Sequence, residues 1–217
     1  MEFVRNPRLE AEIYDRLGKE YLTERKEFPH VTQVVYCLTR SWRDLIMPKP
    51  LTDKEKVLFA VGWGLERVML PQTKIESVKV GTLWMTPDFI SLQDGPADLK
   101  TTRAYPGADG LPKKGPPETW IEHFKAYSVK FGKPRPDGSV EFSVVIVYLN
   151  PAELVAGTFI FTQEELKKNW DYLEERAAVL IASIESFKPP TPFKYNKVWE
   201  CEHCRYLADC LAWKERS

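Results

Sequence analysis

Between Gly81 and Arg103 the chain reads GTLWMTPDFISLQDGPADLKTTR, rich in β-branched and aromatic residues, with a turn signal at Asp94-Gly95. The pattern predicts two strands joined as a hairpin. Side chains alternate faces along a strand, so Asp98 and Lys100 project together while Leu99 points the other way. Asp88 joins them only under one condition. If Asp94-Gly95 were a strict two-residue loop, Asp88 would sit opposite Thr101, on the wrong face. A loop with an odd number of residues, or one β-bulge, brings it level with Lys100. Pro87 cannot donate a ladder hydrogen bond, which favours an irregularity beside Asp88.

Two carboxylates and a lysine on one face suit a hard divalent cation. Asp88 and Asp98 offer the oxygen ligands that Mg²⁺ prefers, leaving positions for water and a phosphate oxygen. Lys100 would orient the attacking water or stabilise charge that builds up on the phosphate. The alternative is a solvated edge hairpin whose charged residues face water. Pro87-Asp88 followed by Asp98-Leu99-Lys100 resembles the defining motif of the PD-(D/E)XK nuclease superfamily.

At 217 residues the chain can bury one sizeable core with a small appended lobe, and a single domain over 1–217 is expected. Lys plus Arg and Asp plus Glu both total 31, so a nucleic-acid partner has to be met by a local basic patch rather than by bulk charge. No apolar run reaches the roughly 18 residues that span a bilayer, and MEFVRNPRLE has no signal-peptide apolar region. A cytoplasmic protein without membrane contact is expected.

Leu9, Ile13, Leu17 and Tyr21 recur four apart, one stripe of a helix over 7–22. A second helix is predicted over 32–47, with Thr32 as N-cap and Cys37 within it. Thr52-Asp53-Lys54-Glu55 is a capping box that starts a third, to about Leu70. Its Gly62 and Gly64 cost roughly 1 kcal/mol each against Ala, which suggests close backbone packing against the sheet. A strand over 74–80 leads into the hairpin. Beyond Lys100, the Gly- and Pro-rich segment 101–119 carries Arg103, Lys113 and Lys114. It is a candidate clamp on a DNA backbone or a mobile surface loop.

Pro116-Pro117 then introduces a helix over 118–131, closed by Gly132 at C′. His123 and Tyr127 share one of its faces. Strands follow at 140–150 and 154–162, the apolar run 142–149 suiting a strand covered on both faces. A second capping box, Thr162 to Glu165, opens a long helix striped by Leu166, Trp170, Leu173, Ala177, Leu180 and Ile184. The order describes an α/β fold around a mixed central sheet flanked by helices. Its expected parts are an N-terminal helical region (1–70), a core (71–188) and a cysteine-rich tail (189–217) packed on the N-terminal helices.

That tail holds Cys201, Cys204 and Cys210, and the fourth cysteine, Cys37, lies far upstream. Three soft ligands are one short of a closed site. The four cysteines together suit an iron–sulfur cluster. Zinc, with Cys37 or His203 as the fourth ligand, is the rival.

In order and spacing these pieces resemble the RecB-type exonucleases of CRISPR adaptation systems. The match takes in Cys37, the G-x-x-x-E element Gly62 to Glu66, Asp88, Asp98-x-Lys100, His123-x-x-x-Tyr127 and the cysteine tail. The chain departs from the family pattern twice. Cys37-Leu38-Thr39-Arg40 stands where the family has C-P-R, and His123 stands where it has glutamine. The resemblance implies a restriction-endonuclease-like core with a C-terminal iron–sulfur lobe, and metal-dependent hydrolysis of DNA, chiefly at single-stranded ends. It implies Asp88, Asp98 and the Leu99 carbonyl as Mg²⁺ or Mn²⁺ ligands with Glu66 as a further one. Lys100 would position the water, and Tyr127 and His123 would align the strand. A [4Fe–4S] cluster would sit on Cys37, Cys201, Cys204 and Cys210. The setting would be CRISPR spacer processing beside an integrase complex, or recombination in a virus or mobile element. The other expected classes are a catalytically inactive iron–sulfur DNA-binding or scaffold subunit and a zinc-ribbon adaptor.

Overall fold

The computed structural model describes residues 28–69, 76–91, 95–202 and 204–214, together with Ala11, Ile13 and Asp15. The helix predicted over 7–22 otherwise lies outside the described residues, as does His203.

The segment predicted as one helix over 32–47 is two: α1, Val31–Val35, and α2, Leu38–Ile46. His30, rather than Thr32, caps α1, and Gln33 closes the reciprocal half of its capping box. Between the helices Tyr36 is extended (φ −87°, ψ −176°) and Cys37 serves as the N-cap of α2. Such a break leaves carbonyls of α1 without helical partners. The buried Arg176 donates to Val34 O at 2.5 Å and to Tyr36 O at 2.6 Å at this break, and to Tyr195 O of the tail at 3.0 Å. No local sequence pattern announces that clamp, because its donor comes from 140 residues away.

Helix α3, Asp53–Met69, starts at the predicted capping box, with Thr52 N–H donating to Glu55 Oε2 at 2.9 Å. Among the described residues nothing approaches within 4 Å of a Cβ placed on Gly62 or Gly64. The close packing expected of these glycines is therefore not found. Strands β1 (Val78–Val80) and β2 (Leu83–Met85) form a separate two-stranded hairpin about Gly81-Thr82. Gly81 takes the positive φ of +55° that a tight turn requires.

The main sheet is mixed. Strand β3, Phe89–Ser91, pairs antiparallel with β4, Gly95–Thr102. Gly95 thus belongs to the strand rather than to the predicted turn. Helix α4, Glu118–Phe131, crosses from β4 to β6, Val140–Tyr148, which runs parallel to β4 and sets Asp98 opposite Val144. The short β5, Lys133–Pro134, pairs with the start of β6, and β7, Glu153–Phe161, pairs antiparallel along its whole length. Helix α5, Gln163–Glu185, opens at the predicted capping box, with Thr162 N–H on Glu165 Oε2 at 2.9 Å.

One face of the sheet carries the main core. Phe142 and Val144 pack with Phe124 and Tyr127 of α4 and with Leu166, Leu173, Ala177 and Leu180 of α5. The intervening residues of β6 are only half-buried, so the strand is not covered equally on both faces as its unbroken apolar run predicted. Gly132 ends α4 with φ −69°, not in the left-handed region. Glycine is needed there for room, since a Cβ would fall 2.2 Å from Val140 Cγ1 and 2.6 Å from Ser128 O.

The tail folds into α6, Val198–Cys201, and α7, Leu207–Lys214. Arg205 holds it to the N-terminal helices, bonding Glu55 of α3 at 2.7 Å and Asp44 of α2. The Tyr206 hydroxyl donates to Asp44 Oδ1 at 2.7 Å. No described helix is long and apolar enough to cross a membrane.

Candidate functional site

The β3–β4 register pairs Phe89 with Ala97, which puts Asp88 level with Asp98. The face is the one required, but the alignment is two residues from the expected partner, Lys100. The connection spans three positions, 92–94, which lie outside the described residues. The ladder stops at Phe89, beyond which Pro87 has no N–H to give. There the Asp88 side chain takes over as acceptor, with Leu99 N–H donating to its Oδ2 at 2.6 Å. Asp88 N–H donates to Ala97 O at 3.2 Å. One Asp88 oxygen is thereby held by backbone. Leu99 meets Asp88 through its amide, and its side chain is buried on the opposite face from Asp98.

Asp98 is 1 % exposed. Lys100 Nζ stands 2.5 Å from its Oδ2. Even so, among the described residues neither Asp98 oxygen has a partner in hydrogen-bond geometry. Burial pushes the Asp98 pKa up from 3.8 to about 8, and the nearby Asp88 carboxylate adds to that rise while Lys100 opposes it. Burial works against charge on Lys100 too, but Asp98, Asp88 and Tyr36 outweigh it and its pKa is raised. Lys100 is therefore an ammonium at neutral pH, a donor and not a base. Two acids share one ammonium in a buried place, so at neutral pH Asp98 holds its proton rather than a charge.

His123 is buried on α4 with Nδ1 3.2 Å from Lys100 Nζ and 3.9 Å from Asp98 Oδ1. Since an ammonium only donates, Nδ1 accepts and the ring proton belongs on Nε2. The Tyr127 ring lies 4.4 Å from that of His123, and its hydroxyl donates to Thr86 O at 2.8 Å. Tyr127 is thus tied to the residue before Pro87 and braces the loop that carries Asp88. Thr86 is a member of the site that sequence reasoning missed. Its hydroxyl lies 2.8 Å from Ser77 Oγ and 3.3 Å from His30 Nε2, contacts between distant segments that no motif encodes.

Glu66 is half-buried on α3, a helix that packs near β4. Arg103, Lys113 and Lys114 are exposed in the segment after β4. That segment is an internally bonded loop. Lys113 N–H donates to Tyr105 O at 2.9 Å, and the Tyr148 hydroxyl of β6 donates to Gly110 O at 2.8 Å.

A second centre lies where the tail meets α2. Cys37, Cys201, Cys204 and Cys210 line one cavity of about 20 Å³, with Glu200 and Phe193 among the other walls. The break after α1 is what turns Cys37 toward it. Burial pushes the Cys37 thiol up to about 11 and raises Cys201 and Cys210 as well. Four thiols around one space are the donor set of a soft metal or cluster, so the residues fit such a group in kind. The cavity is water-sized, and among the described residues no three of His, Cys, Asp or Glu stand at ligating spacing.

These elements define a mixed α/β fold with a mixed sheet flanked by helices. No family model matches the chain, and no curated protein matches it in sequence. In fold it is similar to three solved chains, one of them described as "Crystal structure of SSO0001". That chain has a TM-score of 0.54 at 14 % identity, over 94 % of this chain and 97 % of the other. At that identity the likeness is one of fold alone.

Proposed function

We propose that the chain is a PD-(D/E)XK-type, metal-dependent deoxyribonuclease that acts on single-stranded DNA ends and carries an iron–sulfur cluster in its tail. The observation that carries this reading is the meeting of Asp88, Asp98 and Lys100 on β4, with Asp98 buried against the Lys100 ammonium. Asp88 and Asp98, with the Leu99 carbonyl and Glu66, would hold Mg²⁺ or Mn²⁺. Bound there, the cation supplies charge against a phosphate oxygen and lowers the pKa of a water. The protein's own part is electrostatic and positional. The Lys100 ammonium, fixed between Asp98 and His123, stabilises developing negative charge on the phosphate. Tyr127 acts through Thr86 as a positioning residue for the Asp88 loop. Arg103, Lys113 and Lys114 track the DNA backbone from the loop after β4. The four cysteines would hold [4Fe–4S] and fasten the tail to the N-terminal helices. The role this suggests is trimming of DNA fragments before integration beside a CRISPR integrase, or recombination in a mobile element.

The test is cleavage of 5′- and 3′-labelled strands in Mn²⁺. Wild type should degrade them and Asp98→Ala should not, while keeping the visible absorbance of the cluster. Cleavage at the wild-type rate by Asp98→Ala would remove the assignment. A second reading, an inactive DNA-binding subunit, rests on the two departures from the family pattern, His123 in place of glutamine and Cys37-Leu38-Thr39-Arg40 in place of C-P-R. DNA binding without Mn²⁺-dependent cleavage would select it.

A further inference from the structure

Glu200 is 6 % exposed and stands one residue before Cys201, on the wall of the thiol cavity. Its two oxygens serve different segments. Oε2 accepts from Lys197 N–H at 2.6 Å, closing the cap of α6. Oε1 accepts from Cys37 N–H at 2.9 Å, across 163 residues of chain. Capping α6 needs only the first bond. The second reaches the residue that brings the distant thiol, at the break between α1 and α2.

We infer that Glu200 is a positioning residue of the thiol site: it sets Cys37 against Cys201, Cys204 and Cys210 so that four soft donors face one space. The inference rests on the four-thiol reading of the tail. Both Glu200 oxygens are taken by amides, so it acts through Cys37 and not by ligation. Arg176 completes the arrangement by holding Tyr36 O on the other side of the Cys37 backbone. Groups behind metal ligands commonly govern affinity about as strongly as the ligands do, roughly 10–100-fold.

The test uses the full chain, reduced and metal-free, titrated anaerobically with Co²⁺ alone. Sulfur-to-cobalt charge-transfer intensity scales with the number of bound thiolates, and wild type should give the four-thiolate spectrum. Cys37→Ser should lose about a quarter of that intensity. Glu200→Ala should show the same three-thiolate spectrum and bind Co²⁺ at least roughly tenfold more weakly. If Glu200→Ala does not fold, Glu200→Asp, one methylene shorter, should reach the Lys197 amide alone and give the three-thiolate spectrum. A residue that served only the fold would lower the melting temperature of these variants without changing the spectrum. Wild-type intensity and affinity in Glu200→Ala, or in Glu200→Asp where it replaces it, would overturn the inference. An unchanged spectrum in Cys37→Ser would overturn the four-thiol reading itself, and the inference with it.

Discussion

Replacing Asp98 by asparagine keeps the shape of a buried side chain and removes its ionisation. In the folded protein burial, reinforced by Asp88 and opposed by Lys100, holds the Asp98 pKa at about 8 against 3.8 for the free group. The folded state therefore binds a proton that the unfolded chain releases. The stability this contributes is fully present below about pH 4 and is lost as pH rises from about 4 toward 8. At pH 7, about three units above the unfolded value at ~1.4 kcal/mol each, the wild type has lost ~4 kcal/mol. The Asp98→Asn variant has no such window. Lys100 meets a neutral neighbour in the variant at every pH, as it does in the wild type below about pH 8. The quantity that matters is therefore the difference between the two proteins, which should change by ~4 kcal/mol in favour of the variant between pH 4 and 7.

Urea denaturation in the presence of a chelator, from pH 4.5 to 8.5, measures it directly. Carboxylates remote from Asp98 are common to both chains and cancel. Adding Mn²⁺ at pH 8 should then return stability to the wild type only, by ~2.7 kcal/mol at a hundred times the dissociation constant. Parallel stability curves for the two proteins would refute the claim that Asp98 is a buried acid that holds its proton at neutral pH. Equal Mn²⁺ stabilisation of both would refute the claim that a cation binds there.

Three further outcomes are expected. Arg176→Met strips the Val34 and Tyr36 carbonyls at the α1–α2 break, and that of Tyr195, of their donor and should cost about 3–5 kcal/mol, seen as a melting temperature lower by roughly 10 °C. Gly62→Ala, with open space around it, should stabilise α3 by about 1 kcal/mol. Gly132→Ala meets Val140 and Ser128 and should destabilise by about 1–3 kcal/mol, so the two glycines should move urea midpoints in opposite directions. Cys204→Ala should bleach the visible absorbance of anaerobically purified protein and lower its melting temperature, while a colourless wild type that binds zinc would point to the zinc alternative.

The two capping boxes, which are local signals, form as written. Both long helices begin at the capping boxes written at Thr52–Glu55 and Thr162–Glu165, because those signals need only four adjacent residues. The stripe from Leu166 to Leu180 likewise finds the core. The failures are places where a distant partner decides. Val31 to Ile46 has the periodicity of one helix and forms two, since a donor from α5 and an acceptor from α6 reward a break at Tyr36 and Cys37. Gly132 looks like a left-handed cap, but it is there because β6 passes against it. The hairpin shows the division within a single motif. Alternation put Asp98 and Lys100 on one face, and parity alone required an odd connection to bring in Asp88. Which residue Asp88 would face depended on where the turn fell, and pairing Ser91 with Gly95 sets it level with Asp98, where its carboxylate accepts from the Leu99 amide. The same logic separates the two centres. Three cysteines of the tail were legible as a group, but Cys37 reaches their cavity from a distant segment whose amide bonds Glu200, and that bond is the one the cobalt titration examines.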